Sequence, residues 1–190
     1  MNDRQRAHSA PAALPPIAGL PRWLRGDMRS DHAGETGAVY LYRGILHISK
    51  DAEVRAFASE HLAQEEEHLA FFEAWMRPRD TSLLIPLWRL AGWILGVVSA
   101  LMGRNAVFLT VDAVEEFVVE HYNEQLLRLH GDDHYRPVAL VLEQFCHDEQ
   151  HHRDDAIARS LTSSDGFAAA LWRQIVGKGS AMAVIVARAF

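Results

Sequence analysis

With 190 residues and a formal net charge of −6, the chain has room for one well-filled core and little else. No two Lys or Arg residues are adjacent, so the clustered basic surface that a nucleic-acid partner needs is not expected. Cys146, the single cysteine, excludes an internal disulfide, suits a reducing compartment and is expected simply to pack.

Residues 1–22 read as a flexible N-terminal tail. Four prolines between Met1 and Pro21 interrupt its apolar residues and leave no continuous stretch for a secretory signal. Arg4, Arg6 and Ser9 hint at an organelle-import peptide, but Asp3 and the prolines work against a basic amphipathic helix. Residues 23–190 are expected to form a single domain. From about Arg25 to Arg159 apolar residues recur at spacings of three and four, with no run of strict alternation, so the fold class is all-α. Breakers at Ser49 to Asp51, Pro78 with Asp80 to Ser82, Gly103, Gly131 to Asp133 and Ser160 to Gly166 divide the chain. They predict long helices over residues 25–49, 51–77, 105–130 and 135–160. Two segments remain, an apolar one over 83–103 and an additional C-terminal helix over 167–190. Short links within each helix pair favour antiparallel hairpins, whereas roughly 27 residues between the second and third long helices suit a long crossover. That is the pattern of a ferritin-like four-helix bundle.

The chemistry lies on the buried seams. The second long helix reads Val54, Ala58, His61, Glu65, His68, Phe72 and Trp75 at alternating spacings of four and three. The fourth reads Val138, Leu142, Phe145, Glu149, His152 and Ala156. In both, a Glu-x-x-His interrupts an apolar stripe at the same phase, which sets carboxylate and imidazole about 60° apart on one helical face, within reach of one metal. The first seam carries Met28, His32, Glu35, Val39, Tyr42 and Leu46, and the third Phe108, Asp112, Glu115, Val119, Tyr122 and Leu126. Aligning Glu35 with Glu115 superposes Tyr42 on Tyr122 and Leu46 on Leu126, so the chain resembles a weak duplication of one helical hairpin.

Each half then offers one lone Glu and one Glu-x-x-His, the ligand set that dimetal carboxylate bundles project into their cores. Four buried carboxylates cannot all ionise without cations, and two divalent ions would balance them. The mixed oxygen and nitrogen donors Glu35, Glu65, His68, Glu115, Glu149 and His152 suit iron or manganese better than tetrahedral zinc. A single Glu-x-x-His arises readily by chance on acid-rich helices. Two in phase, with two lone Glu residues at matching positions, carry the assignment.

Other residues read less sharply. Tyr42 and Tyr122 either border the metal chamber or serve as core aromatics with a satisfied hydroxyl. His121 is a candidate substrate or redox contact, or a surface residue. Asp31, His32 and Asp112 could orient the ligand imidazoles. Gly34 and Gly37, each costing about 1 kcal/mol inside a helix, suggest close approach of another helix, a substrate path or a tolerated kink. His147 and His151 read as exposed neighbours of the ligands.

The segment LLIPLWRLAGWILGVVSALMG over 83–103 has Arg89 as its only charge. Its length permits a membrane span, but Pro86, Arg89 and its glycines favour a helix lying on the membrane. Trp88 and Trp93 suit the headgroup level, and AMAVIVARAF at the C-terminus adds a second greasy surface. A buried core helix is the alternative.

Taken in order, DHAGE at Asp31 to Glu35, QEEEHL at Gln64 to Leu69, PLWRLAGWILG at Pro86 to Gly96, AVEEFVVEHYNEQL at Ala113 to Leu126 and DEQHH at Asp148 to His152 resemble the demethoxyubiquinone hydroxylases of ubiquinone biosynthesis. The likeness extends from about Leu24 to Phe190. It implies a di-iron monooxygenase with two Fe ions on the six residues already selected by phase, and a redox role near His121 and Tyr122. It further implies a demethoxy polyprenyl benzoquinol substrate whose ring takes one oxygen atom of O2 as hydroxyl, the other leaving as water with two electrons from a reductant or the quinol. Peripheral membrane association through 83–103 follows, with a bacterial inner membrane's cytoplasmic face expected over the mitochondrial inner membrane, and with ubiquinone-biosynthesis helper proteins as possible partners. The stretch HDEQHHRD departs from the more acidic family pattern, so His152 is preferred to His151 by its spacing from Glu149. The main alternative is a ferritin-like iron-oxidising or storage protein using the same ligands, which has no need of the 83–103 segment. A di-iron hydroxylase acting on a tRNA nucleoside and a membrane-bound scaffold with an acidic seam are further alternatives.

Overall fold

A computed structural model describes residues 14–160 and 166–189 of the chain. Six α-helices, and no strand among the described residues, follow in order: α1 (Arg22–Ile48), α2 (Ala52–Trp75), α3 (Ile85–Met102), α4 (Arg104–Leu129), α5 (Arg136–Arg159) and α6 (Phe167–Ala189). The four long helices predicted from periodicity are α1, α2, α4 and α5, with ends displaced by one to three residues. Local chemistry sets several of these ends. Asp51 caps α2 by accepting from the backbone N–H groups of Glu53 at 2.9 Å and Val54 at 3.2 Å, satisfying donors that have no partner inside the helix. Pro86 and Pro137 sit in the first turns of α3 and α5, where a missing N–H does no harm. Only Gly103 separates α3 from α4, and its φ of +104° is open to glycine at little cost.

The hairpins α1/α2 and α4/α5 make the bundle, while α3 and α6 lie across the side formed by α1 and α4. The predicted seams face inward. Val54, Ala58, His61, Glu65, His68 and Phe72 on α2 are buried, as are all six named positions on α5. Two apolar clusters close the bundle around the polar layer. One gathers Met28, Phe72, Tyr122, Leu142 and Phe145, and the other Tyr42, Phe57, Phe108, Val111 and Ala156. Cys146 packs in the first of these.

The expected N-terminal tail falls outside the described residues as far as residue 13. From Leu14 onward the chain is docked rather than free. Ile17 and Leu20 are buried in the first cluster, and Trp75 Nε1 donates to the carbonyl of Pro15 at 2.9 Å. The prolines here exclude a long α-helix but are compatible with a strap that turns through a short 3-10 helix over Ile17–Gly19 and buries its apolar residues.

The crossover helix α3 is neither wholly buried nor detached. Its inner edge meets α1 backbone to backbone: a Cβ added at Gly44 would strike the Trp93 carbonyl, one at Gly92 the Gly37 carbonyl, and one at Gly96 the Leu41 carbonyl. Glycines on both helices therefore permit a contact that any side chain would hold apart. The outer face of α3 exposes Leu87, Leu90, Ile94, Val98 and Leu101, and that of α6 exposes Phe167, Leu171, Ile175, Met182 and Ile185. By length and composition α3 could cross a membrane, with 11% of its residues buried.

Candidate metal centre and substrate cavity

Each of the six predicted ligands is buried, and their donor atoms converge on two overlapping groups. Glu35, Glu65, His68 and Glu149 form one, and Glu65, Glu115, Glu149 and His152 the other, with the donor atoms of each group within 4.8 Å of one another. Glu65 and Glu149 belong to both. The carboxylate of each Glu-x-x-His thus lies between the two positions, and the lone Glu residues lie outside, one per position.

Hydrogen bonding around the imidazoles tests whether a cation suits the site. His152 Nε2 lies 3.1 Å from Gln64 Oε1, and His68 Nε2 lies 3.3 Å from Asp148 Oδ2. Both partners are acceptors, so both Nε2 atoms carry hydrogen and donate. Each Nδ1 is then a lone pair in the neutral ring, yet His152 Nδ1 faces Glu149 Oε2 at 3.0 Å and Glu65 Oε1 at 3.1 Å. Likewise His68 Nδ1 faces Glu149 Oε1 at 3.0 Å and Glu35 Oε2 at 3.6 Å. Lone pairs pointed at carboxylate oxygens repel unless a proton or a metal ion stands between them. Neither oxygen of buried Glu65 has a hydrogen bond of good geometry, as a ligand oxygen awaiting a cation would show.

The electrostatics of the metal-free cluster point to the same need. Burial, reinforced by the Glu149 carboxylate, pushes Glu65 up to about 8 and Glu115 well above the usual carboxylate range. Although burial opposes it, the Glu149 and Glu65 carboxylates that face its Nδ1 push His152 up to about 11. His68 is held well above its ordinary value against the same burial penalty by Asp148, Glu149 and Glu35. Glu149 is held low because the two imidazoles outweigh its desolvation. Protons fill this cluster wherever cations do not.

The tyrosines cross between halves. Tyr122 on α4 donates to Glu35 Oε1 on α1 at 2.6 Å, and Tyr42 on α1 donates to Glu115 Oε1 on α4 at 3.3 Å. Both hydroxyls are buried and resist ionisation, chiefly through desolvation and then through the carboxylate beside each.

Three expected orienting residues serve elsewhere. Asp31 Oδ1 accepts from His121 Nε2 at 3.0 Å and Gln125 Nε2 at 2.8 Å. Asp112 pairs with Arg173 at 2.6 Å, tying α6 to α4. His32 is buried with its Nδ1 unpartnered. The residues that hold the ligand imidazoles are Gln64 and Asp148, which sequence reasoning missed although each immediately precedes a ligand Glu at equivalent points of the duplication. His61, on the predicted buried seam but with no role assigned from the sequence, meets Asp155 Oδ2 through its Nε2 at 3.0 Å, and its ring centroid lies 4.4 Å from that of His152. His147 and His151 are exposed.

A cavity of about 250 Å³ runs from the carboxylates out between α3 and α6. Glu35, Glu65, Glu115 and Glu149 form its floor, His121 and Tyr122 part of its wall, and small residues including Gly34, Gly37, Gly92 and Ala183 its sides. Gly34 meets nothing that a Cβ would touch, whereas the backbone of Gly37 is the surface on which Gly92 rests. An open cavity beside Gly34 and a close helix approach at Gly37 are both present. His121 reaches the cavity with both nitrogens engaged, Nε2 by Asp31 and Nδ1 by Arg188 Nη2 at 3.4 Å.

Comparison with known proteins agrees with this architecture. The family model described as "Ubiquinone biosynthesis protein COQ7" matches residues 22–187. The chain is 37% identical over 168 residues to 3-demethoxyubiquinol 3-hydroxylase of Rhodospirillum rubrum, covering 87% of this chain and 74% of that protein. It is 32% identical over 192 residues to the mouse protein named NADPH-dependent 3-demethoxyubiquinone 3-hydroxylase, mitochondrial, covering 97% and 85%. The Caenorhabditis elegans protein of the same name is 30% identical over 161 residues, covering 83% and 86%. A match spanning all six helices, with every predicted ligand inside it, makes the chain a member of the COQ7 ubiquinone biosynthesis family.

Proposed function

We propose that the chain is a di-iron monooxygenase that hydroxylates the ring of a demethoxy polyprenyl benzoquinol while resting on a membrane surface. The observation that carries this is the union of a six-donor carboxylate and imidazole cluster with a cavity opening between two apolar outer helix faces. Glu35, His68 and Glu115, His152 would each hold one ion, with Glu65 and Glu149 shared between them. Iron bound there would supply the reduction of O2. The protein's own part is to position and to shield. Asp148 and Gln64 fix the imidazoles with Nδ1 facing inward, and Tyr122 and Tyr42 orient Glu35 and Glu115 by donating hydrogen bonds to them from their hydroxyls. A lined apolar cavity keeps bulk water from the carboxylates and admits a flat ring, and His121, held in one orientation by Asp31 and Arg188, forms a fixed part of the wall beside that ring.

The prenyl tail would leave between α3 and α6, whose exposed leucines and isoleucines suit the interfacial layer of a bilayer. An iron-storage protein has no use for such a cavity or for that face.

Anaerobic loading with ferrous iron, followed by O2 and a short-chain demethoxyquinol, tests the assignment by mass spectrometry of the product. The expected result is uptake of two irons per chain and an oxygen-dependent gain of one oxygen atom. Uptake well below two, or an unaltered quinol, would overturn it.

A further inference from the structure

A concentration of positive charge lies away from the metal centre, at the end of the molecule where α1 begins and α6 ends. Arg22, Arg25 and Arg29 follow one another on α1 at spacings of three and four, which places them on one side of the helix. Arg188 from α6 and Arg128 from α4 complete the group. Together they line two adjoining hollows of about 420 and 520 Å³ that share Arg22, Gly26 and Arg188.

Among the described residues, two carboxylates stand among these five arginines, and both are already engaged. Asp27 is buried between Arg188 Nε at 2.8 Å and Arg128 Nη1 at 3.3 Å. Asp80 pairs with Arg77 at 3.9 Å. Arg29 reaches only carbonyl oxygens, those of Asp80 and Arg188, each at 3.3 Å. Arg22 and Arg25 are exposed, and their guanidinium groups have no ion-pair partner among the described residues. In a chain of net charge −6, such a hollow concentrates anions, and guanidinium groups match phosphate oxygens in geometry as well as charge.

The position of the hollow selects the kind of phosphate. Asp80 belongs to the turn leading into α3, three residues before Leu83, which is 82% exposed. Arg188 lies three residues beyond the exposed Ile185 of α6 and six beyond the exposed Met182. The cationic hollow therefore adjoins the end of the apolar α3/α6 face, where an acyl chain and its headgroup could be engaged together. We infer that this arginine hollow binds the phosphate of an anionic phospholipid headgroup, and thereby fixes the orientation of the cavity mouth on the bilayer. The inference rests on the membrane association proposed above.

Flotation of the full-length, iron-loaded protein with vesicles of phosphatidylcholine alone, or mixed with phosphatidylglycerol, tests it. The protein should favour the phosphatidylglycerol vesicles, and Arg22→Gln and Arg25→Gln should each weaken that binding about fivefold, with binding to neutral vesicles unchanged. Lys50→Gln, roughly 40 Å away at the far end of α1, should leave the preference intact, which separates a defined site from diffuse charge. Full preference retained in the Arg22→Gln/Arg25→Gln protein, or equal loss in Lys50→Gln, overturns the inference while binding to neutral vesicles upholds the membrane reading. Saturable binding of inorganic pyrophosphate that releases the protein from phosphatidylglycerol at constant ionic strength would reassign the site to a soluble phosphate compound. Failure of the wild-type protein to bind either vesicle overturns both proposals.

Discussion

Asp148→Ala should weaken one of the two metal positions and largely spare the other. Asp148 Oδ2 stands 3.3 Å from His68 Nε2, and Gln144 Nε2 holds its other oxygen at 3.0 Å, so the carboxylate is fixed from behind. With a metal on Nδ1, the Nε2 hydrogen of His68 has only this acceptor, and the ring is buried. Removing a charged acceptor from such a group costs about 1.5–3 kcal/mol, which corresponds to about a 10–100-fold loss of affinity at the position formed by Glu35, Glu65, His68 and Glu149. The position containing His152 keeps its own support from Gln64. Gln64→Leu should act on that second position, and less strongly, because its hydrogen bond involves a neutral acceptor worth about 1 kcal/mol. Anaerobic equilibrium dialysis against ferrous iron reads both effects. Wild-type protein should take up two equivalents, and Asp148→Ala one as in the wild type and one that binds much more weakly. Unchanged binding, or equal loss of both equivalents with helical circular dichroism intact, would refute the assignment of Asp148 to His68 alone.

Three further outcomes follow from particular contacts. Tyr122→Phe should reduce iron retention more than Tyr42→Phe, because the hydroxyl of Tyr122 lies 2.6 Å from Glu35 and that of Tyr42 3.3 Å from Glu115; iron remaining after mild chelation compares them. Gly96→Val drives a side chain into the Leu41 carbonyl, where backbone cannot yield as a flexible side chain would, and should cost about 3 kcal/mol. That appears as a fall in Tm of about 6–12 °C, whereas Gly34→Ala, with open space around it, should be neutral or stabilising by up to about 1 kcal/mol. His61 is held down to about 4, first by burial and then by His152, below its unfolded value of 6.5. The folded state thus binds fewer protons between these values, and the stability His61 contributes is present above pH 6.5 and lost as pH falls towards 4. For a ring whose side chain is 2% exposed the effect is about 3 kcal/mol. Urea denaturation of the metal-free protein across this window should show a shallower acid slope in His61→Gln; equal slopes would place the acid sensitivity elsewhere.

Much of the bundle was legible because a buried seam repeats every three or four residues whatever surrounds it. The run from Val138 to Ala156 shows the point: polar residues at Glu149 and His152 could share its phase only if something in the core received them. The supports were not legible. Gln64 and Asp148 sit one residue off the seam, a position that ordinarily faces solvent, and only the crossing of α2 with α5 brings each beside the other helix's imidazole. The destination of Asp31 depends on α4 supplying His121 and Gln125 from ninety residues away. Nor does adjacency in sequence reveal the arginine hollow, whose members come from three helices. Docking of the chain from Leu14 onward is not legible either, because prolines that exclude a long α-helix do not exclude burial of Ile17 and Leu20.

The duplication is symmetric in its ligands and asymmetric in their support, and the asymmetry is chemically consequential. Aligned motifs place Gln64 opposite Asp148, so one ligand imidazole hydrogen-bonds to a neutral amide and the other to a carboxylate. A carboxylate partner raises the basicity of a ligating histidine, which makes the His68 side the more strongly donating of the two. The same side receives the shorter tyrosine hydrogen bond, from Tyr122 to Glu35, and Tyr122 belongs to the cavity wall together with His121. Two positions with matching predicted donor sets are thereby made inequivalent along the side on which the cavity opens. The residues that break the symmetry are those just off the seams, where substitution leaves the bundle's packing intact.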